Sequence, residues 1–438
     1  MDPLKQRLEL YFEFAKLNTN WRTEILAGFT TFITMAYIVF VNPSILAETG
    51  MPFTAVLAAT CVASGLGCIL MGAFARYPIA LAPGMGLNAF FTYAVVKGMG
   101  VDWHVALGAV FLSGLIFLLL TALGIQRLIV QAIPQELYAA VAVGIGLFIA
   151  FIGLKNSGIV VAHPATLVTL GNLRAPATAL AIGGLILIAV LTAWGLRAAM
   201  LLGILATTIA GALAGLVKWE PRFYSLADLS STAFALDIPG ALQLGLLEIV
   251  FVFLFVDIFD NVGTLVAVGK KAGLIRETGD IPRLNRILLT DAAATVAGSL
   301  AGTSTVVSYI ESAAGVVAGG RSGVTSVVTG LLFFLALLIA PALGTIPAAA
   351  TAPALIIVGS LMIGHAREIN WDDPLVALPA FLTIITIPLT FSIANGLAFG
   401  FISYTLLKLL RGKGGDLHWL VYVLTALFIA RFAYLGKG

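Results

Sequence analysis

Asp257 and Asp260 stand three residues apart in FVDIFDNVGTL (255–265), an otherwise apolar run in a chain that avoids charge nearly everywhere. Asp291 and Glu311 also fall inside apolar stretches, and Glu248 stands near the start of the stretch that carries the pair. A carboxylate in such surroundings can accept charge-assisted hydrogen bonds from N–H donors, or take up and release a proton. At about 100° per residue, Asp257, Asn261, Thr264 and Asp260 share one helical stripe about 100° wide. Ile258, Phe259, Val262 and Val266 occupy the other side. The stripe needs a polar partner, and the segment carrying Glu311 is the expected one.

Composition sets the elements that position these acids. Of 438 residues, 60% are hydrophobic and 10% charged, against about 25% charged in a soluble globular domain. Apolar runs recur from Ile25 to Leu410, and about 18 or more such residues suffice to cross a hydrocarbon core of about 30 Å. The chain is predicted to be an all-α polytopic membrane protein. An acid at mid-span costs roughly 2.5–3.5 kcal/mol, so it must face protein or water.

Punctuation by Gly, Pro and charge predicts fourteen transmembrane segments. The first seven are 24–43, 54–73, 79–97, 104–124, 136–154, 177–195 and 198–217. The second seven are 245–269, 286–301, 303–318, 323–341, 347–364, 374–391 and 393–410. A last apolar stretch, LHWLVYVLTALFIARFAYL, is short, carries Arg431, and is expected to be interfacial or packed on the bundle. The first residues, MDPLKQRLELYFEFAKL, are charged and amphipathic, which predicts a cytoplasmic segment rather than a cleaved leader. With the N-terminus inside, seventeen Lys and Arg fall in inner loops, from Lys5 to Lys413. Five fall outside: Lys97, Lys155, Arg174, Lys218 and Arg222. That bias supports the register and predicts cytoplasmic N- and C-termini in the cell membrane.

The halves echo each other. LAPGMGLNAFFTYAVVKG (81–98) resembles LAGTSTVVSYIESAAGVVAGG (300–320), and AIPQELYAAVAVG (132–144) resembles TIPAAATAPALIIVG (345–359). Seven spans per half is odd, so the second copy enters from the opposite side. Inverted repeats with interrupted segments at matching positions point to a secondary transporter with its site near the midplane. The third and tenth segments are the interrupted ones, because PIALAPGMGLN is rich in Pro and Gly and AGTSTVVSY is β-branched and hydroxylic. Non-helical backbone at membrane depth must be buried in protein or line a cavity. Helices are expected to begin near Asn88 and Tyr309, presenting free N–H groups.

Blander readings exist for each feature. Buried acids can be polar glue between helices, and Asp291, among small residues in LLTDAAATVAG, fits that reading as well as a site. Cys61 and Cys68 are about 10 Å apart along a helix, too far for a disulfide, and read as small core residues. The histidines fall in or beside loops, so a proton relay would use carboxylates.

TNWRTEILAGFTTFITMAYIVFVNP (19–43), LAPGMGLNAFF (81–91), VDIFDNVGTL (256–265) and GTSTVVSYIESAAGVVAGGRSG (302–323) together resemble the azaguanine-type purine permeases. These are nucleobase–cation symporters related to bacterial uracil permease. The resemblance implies two inverted seven-span repeats whose short extended segments meet at the site. It implies a cytoplasmic N-terminus (1–23), a moving core (24–124 and 245–341) and a gate (125–217 and 342–411). An outer loop (218–244) and a C-terminal segment (412–438) complete the chain. Carried over by motif, Asp260 and Glu311 hold the nucleobase, Asn88 is the polar residue of the third segment, and Asp291 supports the site. Thr264 stands where uracil permease has a histidine, which favours purines. Phe259, Phe90 and Tyr309 are candidate stacking faces. Glu311, with Asp257 and Asp291, is the expected proton-coupling set. No catalytic residue, metal or cofactor is expected; the coupling ion is H⁺, the partners are a purine and lipid, with no nucleic acid, and a homodimer is compatible.

Two alternatives remain. The same fold serves transporters of anions and of xanthine or uracil, although paired carboxylates would oppose an anion. DIFD also resembles the D-x-x-D of Mg²⁺-dependent intramembrane prenyltransferases, but a second Asp-rich motif is lacking.

Overall fold

The computed structural model describes residues 3–125, 132–217, 230–243, 247–274, 281–340 and 346–434. Arg127, Lys218, Arg222 and Arg276, which entered the charge count, lie outside the described residues, as does part of the expected 218–244 loop. Eight described helical stretches are long and apolar enough to cross a bilayer, and four shorter apolar helices accompany them. This is a multi-pass, predominantly helical membrane protein.

The helices, in chain order, are α1 (Pro3–Tyr11), α2 (Phe14–Leu17), α3 (Trp21–Met35), α4 (Ile38–Leu46), α5 (Phe53–Leu70), α6 (Met85–Ala89) and α7 (Trp103–Ala122). Next come α8 (Gln135–Asn156), α9 (Pro176–Ala193), α10 (Ala199–Leu213), α11 (Ile238–Ala241), α12 (Leu247–Ala272) and α13 (Leu284–Ala301). The remainder are α14 (Ser312–Val317), α15 (Gly323–Ile339), α16 (Ala348–Met362), α17 (Pro374–Thr390), α18 (Ile393–Leu410) and α19 (Trp419–Tyr434). Their starts follow local chemistry, since a side-chain oxygen at the N-cap satisfies a free amide. Asn20 accepts from Thr23 N at 3.0 Å, Asp373 from Leu375 N at 2.9 Å, and Ser392 from Asn395 N at 3.2 Å.

The two interrupted segments are the exception to helix. Strand β1 (Leu81–Pro83) pairs antiparallel with β4 (Val306–Ser308), aligning Leu81 with Ser308 and Pro83 with Val306. Tyr309 N donates to Ala80 O and Gly84 N to Thr305 O, each at 2.9 Å, so the ladder extends one step beyond each end. Mutual pairing supplies the partners that this backbone would lack in lipid. Gly84 permits the approach: a Cβ there would sit 2.9 Å from Val307 Cγ2. A separate hairpin, β2 (Val160–His163) with β3 (Leu167–Leu170), is exposed.

Two groups of helices surround this crossing. In one, α15 packs on α3 and α5 while α7 packs on α12 and α13, with both strands enclosed. In the other, α8 packs on α16 and α17, α9 on α16 and α10, and α17 on α18. The groups meet where α8 touches α6 and α12, and where α16 touches α4. Glu24 ties the first group together. Fully buried, it accepts from Ser322 N, Arg321 N, Thr19 and Thr325 at the start of α15.

The N-terminal segment is docked rather than free. Phe12 and Phe14 pack with Val324, Tyr11 Oη donates to Ala73 O at 2.6 Å, and Glu13 Oε1 pairs with Arg283 at 2.5 Å. At the other end, α19 retraces α18. Thr425 meets Thr405 at 2.7 Å, and the rings of Phe428 and Phe401 lie 5.8 Å apart.

Candidate functional site

The crossing strands and the middle of α12 bring most of the expected residues together. Asp257 and Asn261 are one turn apart, and both are fully buried. The Asn261 amide donates to Asp257 Oδ1 at 2.8 Å and to Asp291 on α13. Asn261 Oδ1 accepts from Ser308 N of β4 at 2.9 Å, and Ser308 Oγ donates to Asp291 at 3.3 Å. One asparagine therefore links two carboxylates and fixes the strand. Thr295 Oγ1 donates its single proton to Val306 O at 2.8 Å, leaving only a 3.4 Å approach to Asp257 Oδ2. Protein donors are thus short for two carboxylates enclosed together.

The stripe's direct partners are β4, which belongs to the expected tenth segment carrying Glu311, and Asp291 of α13. Glu311, three residues beyond β4, is held by Tyr37, which lies between α3 and α4 and donates to its Oε1 at 2.7 Å. Tyr37 was not among the sequence candidates. An aromatic residue in an apolar run carries no mark of a partner 274 positions away. Asp260 is within electrostatic reach of Glu311 and of His365. It is partly accessible, and no described side chain donates to it.

Helix starts differ from expectation by three residues. α6 begins at Met85 rather than Asn88, and α14 at Ser312 rather than Tyr309. The strand pairing ends sooner on one side and later on the other, because Gly84 and Tyr309 still belong to the ladder. At α14 the first amides are not free: Ser312 N bonds Tyr309 O, and Ala313 N bonds Ile310 O. Asn88 lies one turn into α6, fully buried; Ser304 Oγ donates to its Oδ1, while its Nδ2 has no partner among the described residues.

The candidate stacking rings are distributed. Phe259 lies against Tyr138 of α8 at 3.8 Å between centroids and against Phe255 at 4.1 Å, at the boundary of the two groups. Phe90 packs edge-on to Phe253 at 5.1 Å. Tyr309 is held by its hydroxyl, which donates to Pro83 O at 2.6 Å. Thr264 is buried on the Asp257 stripe without a hydrogen-bond partner among the described residues. Cys61 and Cys68 are free and buried, and Cys68 Sγ accepts from Leu81 N at 3.1 Å, which seats β1.

Comparison with known proteins places this geometry. The chain is 47% identical over 441 residues to a guanine/hypoxanthine permease of Bacillus subtilis, covering 98% of this chain and 100% of that one. It is 44% identical over 428 residues to an adenine permease of Escherichia coli, covering 98% and 96%. In three dimensions it resembles the transmembrane domain of a cyanobacterial bicarbonate transporter with a TM-score of 0.64 at 17% identity, covering 87% of this chain and 98% of that one. A model described as the permease family matches residues 22–399, and the chain belongs to that family.

Proposed function

We propose that this permease carries purine nucleobases into the cell together with protons. The strand-bearing group (24–124 and 245–341) moves as a core against the other group (125–217 and 342–411) as a gate. The observation that carries this reading is Asp260. It is a partly accessible carboxylate with no described protein donor, within electrostatic reach of Glu311 and next in sequence to Phe259, which lies against Tyr138. A purine offers ring and exocyclic N–H donors to a carboxylate, and a flat face to aromatic rings. Relatives that transport guanine, hypoxanthine and adenine along the full length support the substrate class.

Matched packing supports fourteen spans in two inverted repeats. α5 on α15 answers α13 on α7, α3 on α15 answers α12 on α7, and α8 on α17 answers α16 on α9. Each pair exchanges a helix of one half for its counterpart in the other. Glu311 is assigned to substrate and proton, and the Asp257–Asn261–Asp291 cluster to holding β4 and supporting the coupling. Paired carboxylates disfavour the anion reading of the same fold.

The test is uptake of labelled adenine, guanine, hypoxanthine, xanthine and uracil into cells lacking their own permeases, the N-terminus being placed in the cytoplasm. Saturable uptake of at least one of adenine, guanine and hypoxanthine, not displaced by uracil, is expected. Uptake of uracil alone, or of none of the five, would overturn the reading.

A further inference from the structure

α19 is not a surface helix. Reading down α18 from Thr405 through Phe401 and Phe399 to Asn395, the partners on α19 are Thr425, Phe428, Phe432 and Arg431. The two helices run antiparallel along their whole common length. A helix lying in the membrane plane would cross α18 at one point instead. At about 1.5 Å per residue, sixteen residues cover about 24 Å, most of a hydrocarbon core. The turn between them begins at Gly412 (φ 72°) and is closed by Tyr422 Oη donating to Gly414 O at 2.8 Å. Lys408, Arg411 and Lys413 mark that turn as the inner end.

The far end of α19 carries a built polar contact. Arg431 Nε lies 2.6 Å from Glu248 Oε1 at the start of α12, and the two side chains are only 19% and 17% exposed. Arg431 Nη1 also donates to Asn395 Oδ1 of α18 at 2.9 Å. One turn along α12, Phe251 packs edge-on against Phe428 at 5.9 Å. α12 is the helix that presents Asp257, Asp260 and Asn261. Glu248 lies nine residues before Asp257, so whatever fixes Glu248 sets the depth and rotation of the site helix.

We propose that α19 is a membrane-crossing clasp: it returns the chain to the outer side, where Arg431 holds Glu248 of α12 to Asn395 of α18 in the one core-and-gate arrangement that the structure shows, and releases it when the core moves. Arg431 and Glu248 are positioning residues for the site helix, and the C-terminus leaves on the side opposite Lys413. This departs from the expected cytoplasmic C-terminus, because antiparallel packing over the full helix carries the chain across. The guanidinium suits the place: Nη1 donates to the Asn395 oxygen while the delocalised charge pairs with Glu248, an ion pair in which Nε–H is not aligned as a hydrogen bond. The clasp's effect on transport rests on the proposed core-and-gate reading; the crossing does not.

Two measurements test it. In a protein carrying Cys61→Ala and Cys68→Ala, a cysteine appended after Gly438 is compared with Lys413→Cys using a membrane-impermeant maleimide on intact cells. The appended cysteine is expected to react from outside, and the Lys413→Cys variant only after permeabilisation; reaction of both from the same side would overturn the crossing. For the clasp, Glu248→Gln and Arg431→Gln are each expected to lower the initial uptake rate at least fivefold. The exchange Glu248→Arg with Arg431→Glu should return it to within about twofold, because the Asn395 amide can donate to a carboxylate as readily as its oxygen accepts from arginine. An exchanged protein present in the membrane but no better than the single variants would overturn the clasp. If wild type takes up none of the bases, the transport reading fails while the labelling still decides the crossing.

Discussion

The phenol of Tyr37 donates to Glu311 Oε1 at 2.7 Å, joining the break between α3 and α4 to the first turn after the tenth segment's strand. The bond gives Glu311 a fixed direction.

Tyr37→Phe keeps the ring and removes only the donor. A hydrogen bond to a charged group contributes about 1.5–3 kcal/mol, so nucleobase affinity should fall about tenfold or more, read by titration calorimetry on purified protein. The melting temperature should fall as well, since the same bond stabilises the unliganded fold. Unchanged affinity would show that Glu311 is oriented by something other than Tyr37.

Asn261→Ala deprives Asp257 and Asp291 of their shared donor and Ser308 N of its acceptor. Leaving buried polar groups unpaired costs about 1–3 kcal/mol each, and more for charged ones. A clearly lower melting temperature in detergent is expected, together with loss of uptake. A variant that melts and transports like wild type would mean that β4 is held without Asn261.

Glu13 gives a pH dependence to the docked N-terminal segment. Burial pushes its carboxyl up, but the hydrogen bond and charge of Arg283, with Lys16 and Arg76, outweigh that and hold it below the usual carboxylate range. A lowered folded pKa contributes stability above the ordinary carboxylate pKa of about 4.3, lost as pH falls through the folded value. Glu13→Gln should therefore melt below wild type at pH 7, with the gap closing as pH drops under about 4. A gap that stays constant down to pH 3 would show that the docking of 3–19 does not depend on this charge.

How much of this was legible in the sequence differs by feature. The starts of α17 and α18 at 374 and 393 were legible from punctuation, whereas α3 begins at Trp21, three residues before the expected span, where Asn20 caps it. The breaks at 81–84 and 305–309 were legible from Pro, Gly and β-branched residues, but the helix starts after them were not, because the ladder's length depends on how two distant segments align. Asp257, Asn261 and Asp291 announce themselves as acids and amide in apolar surroundings. Tyr37 does not, nor does Glu24, which reads as an acid at the start of a span and is in fact buried against the amides of Arg321 and Ser322. The expected packing of 417–435 on the bundle was legible, but the partner of Arg431 was not, because Glu248 lies 183 residues away.

The division of work between Asp260 and Glu311 is the central claim, and one paired measurement tests it most directly. Purine binding to purified protein is compared with pH-driven uptake into liposomes for Asp260→Asn and Glu311→Gln. Asp260→Asn should abolish binding, since an amide removes the charge and presents N–H groups where the purine also donates. Glu311→Gln stands in for the protonated side chain, so it should keep measurable binding but lose accumulation against a gradient. If Glu311→Gln still concentrates purine in response to a proton gradient, or Asp260→Asn binds as wild type does, the assignment is contradicted.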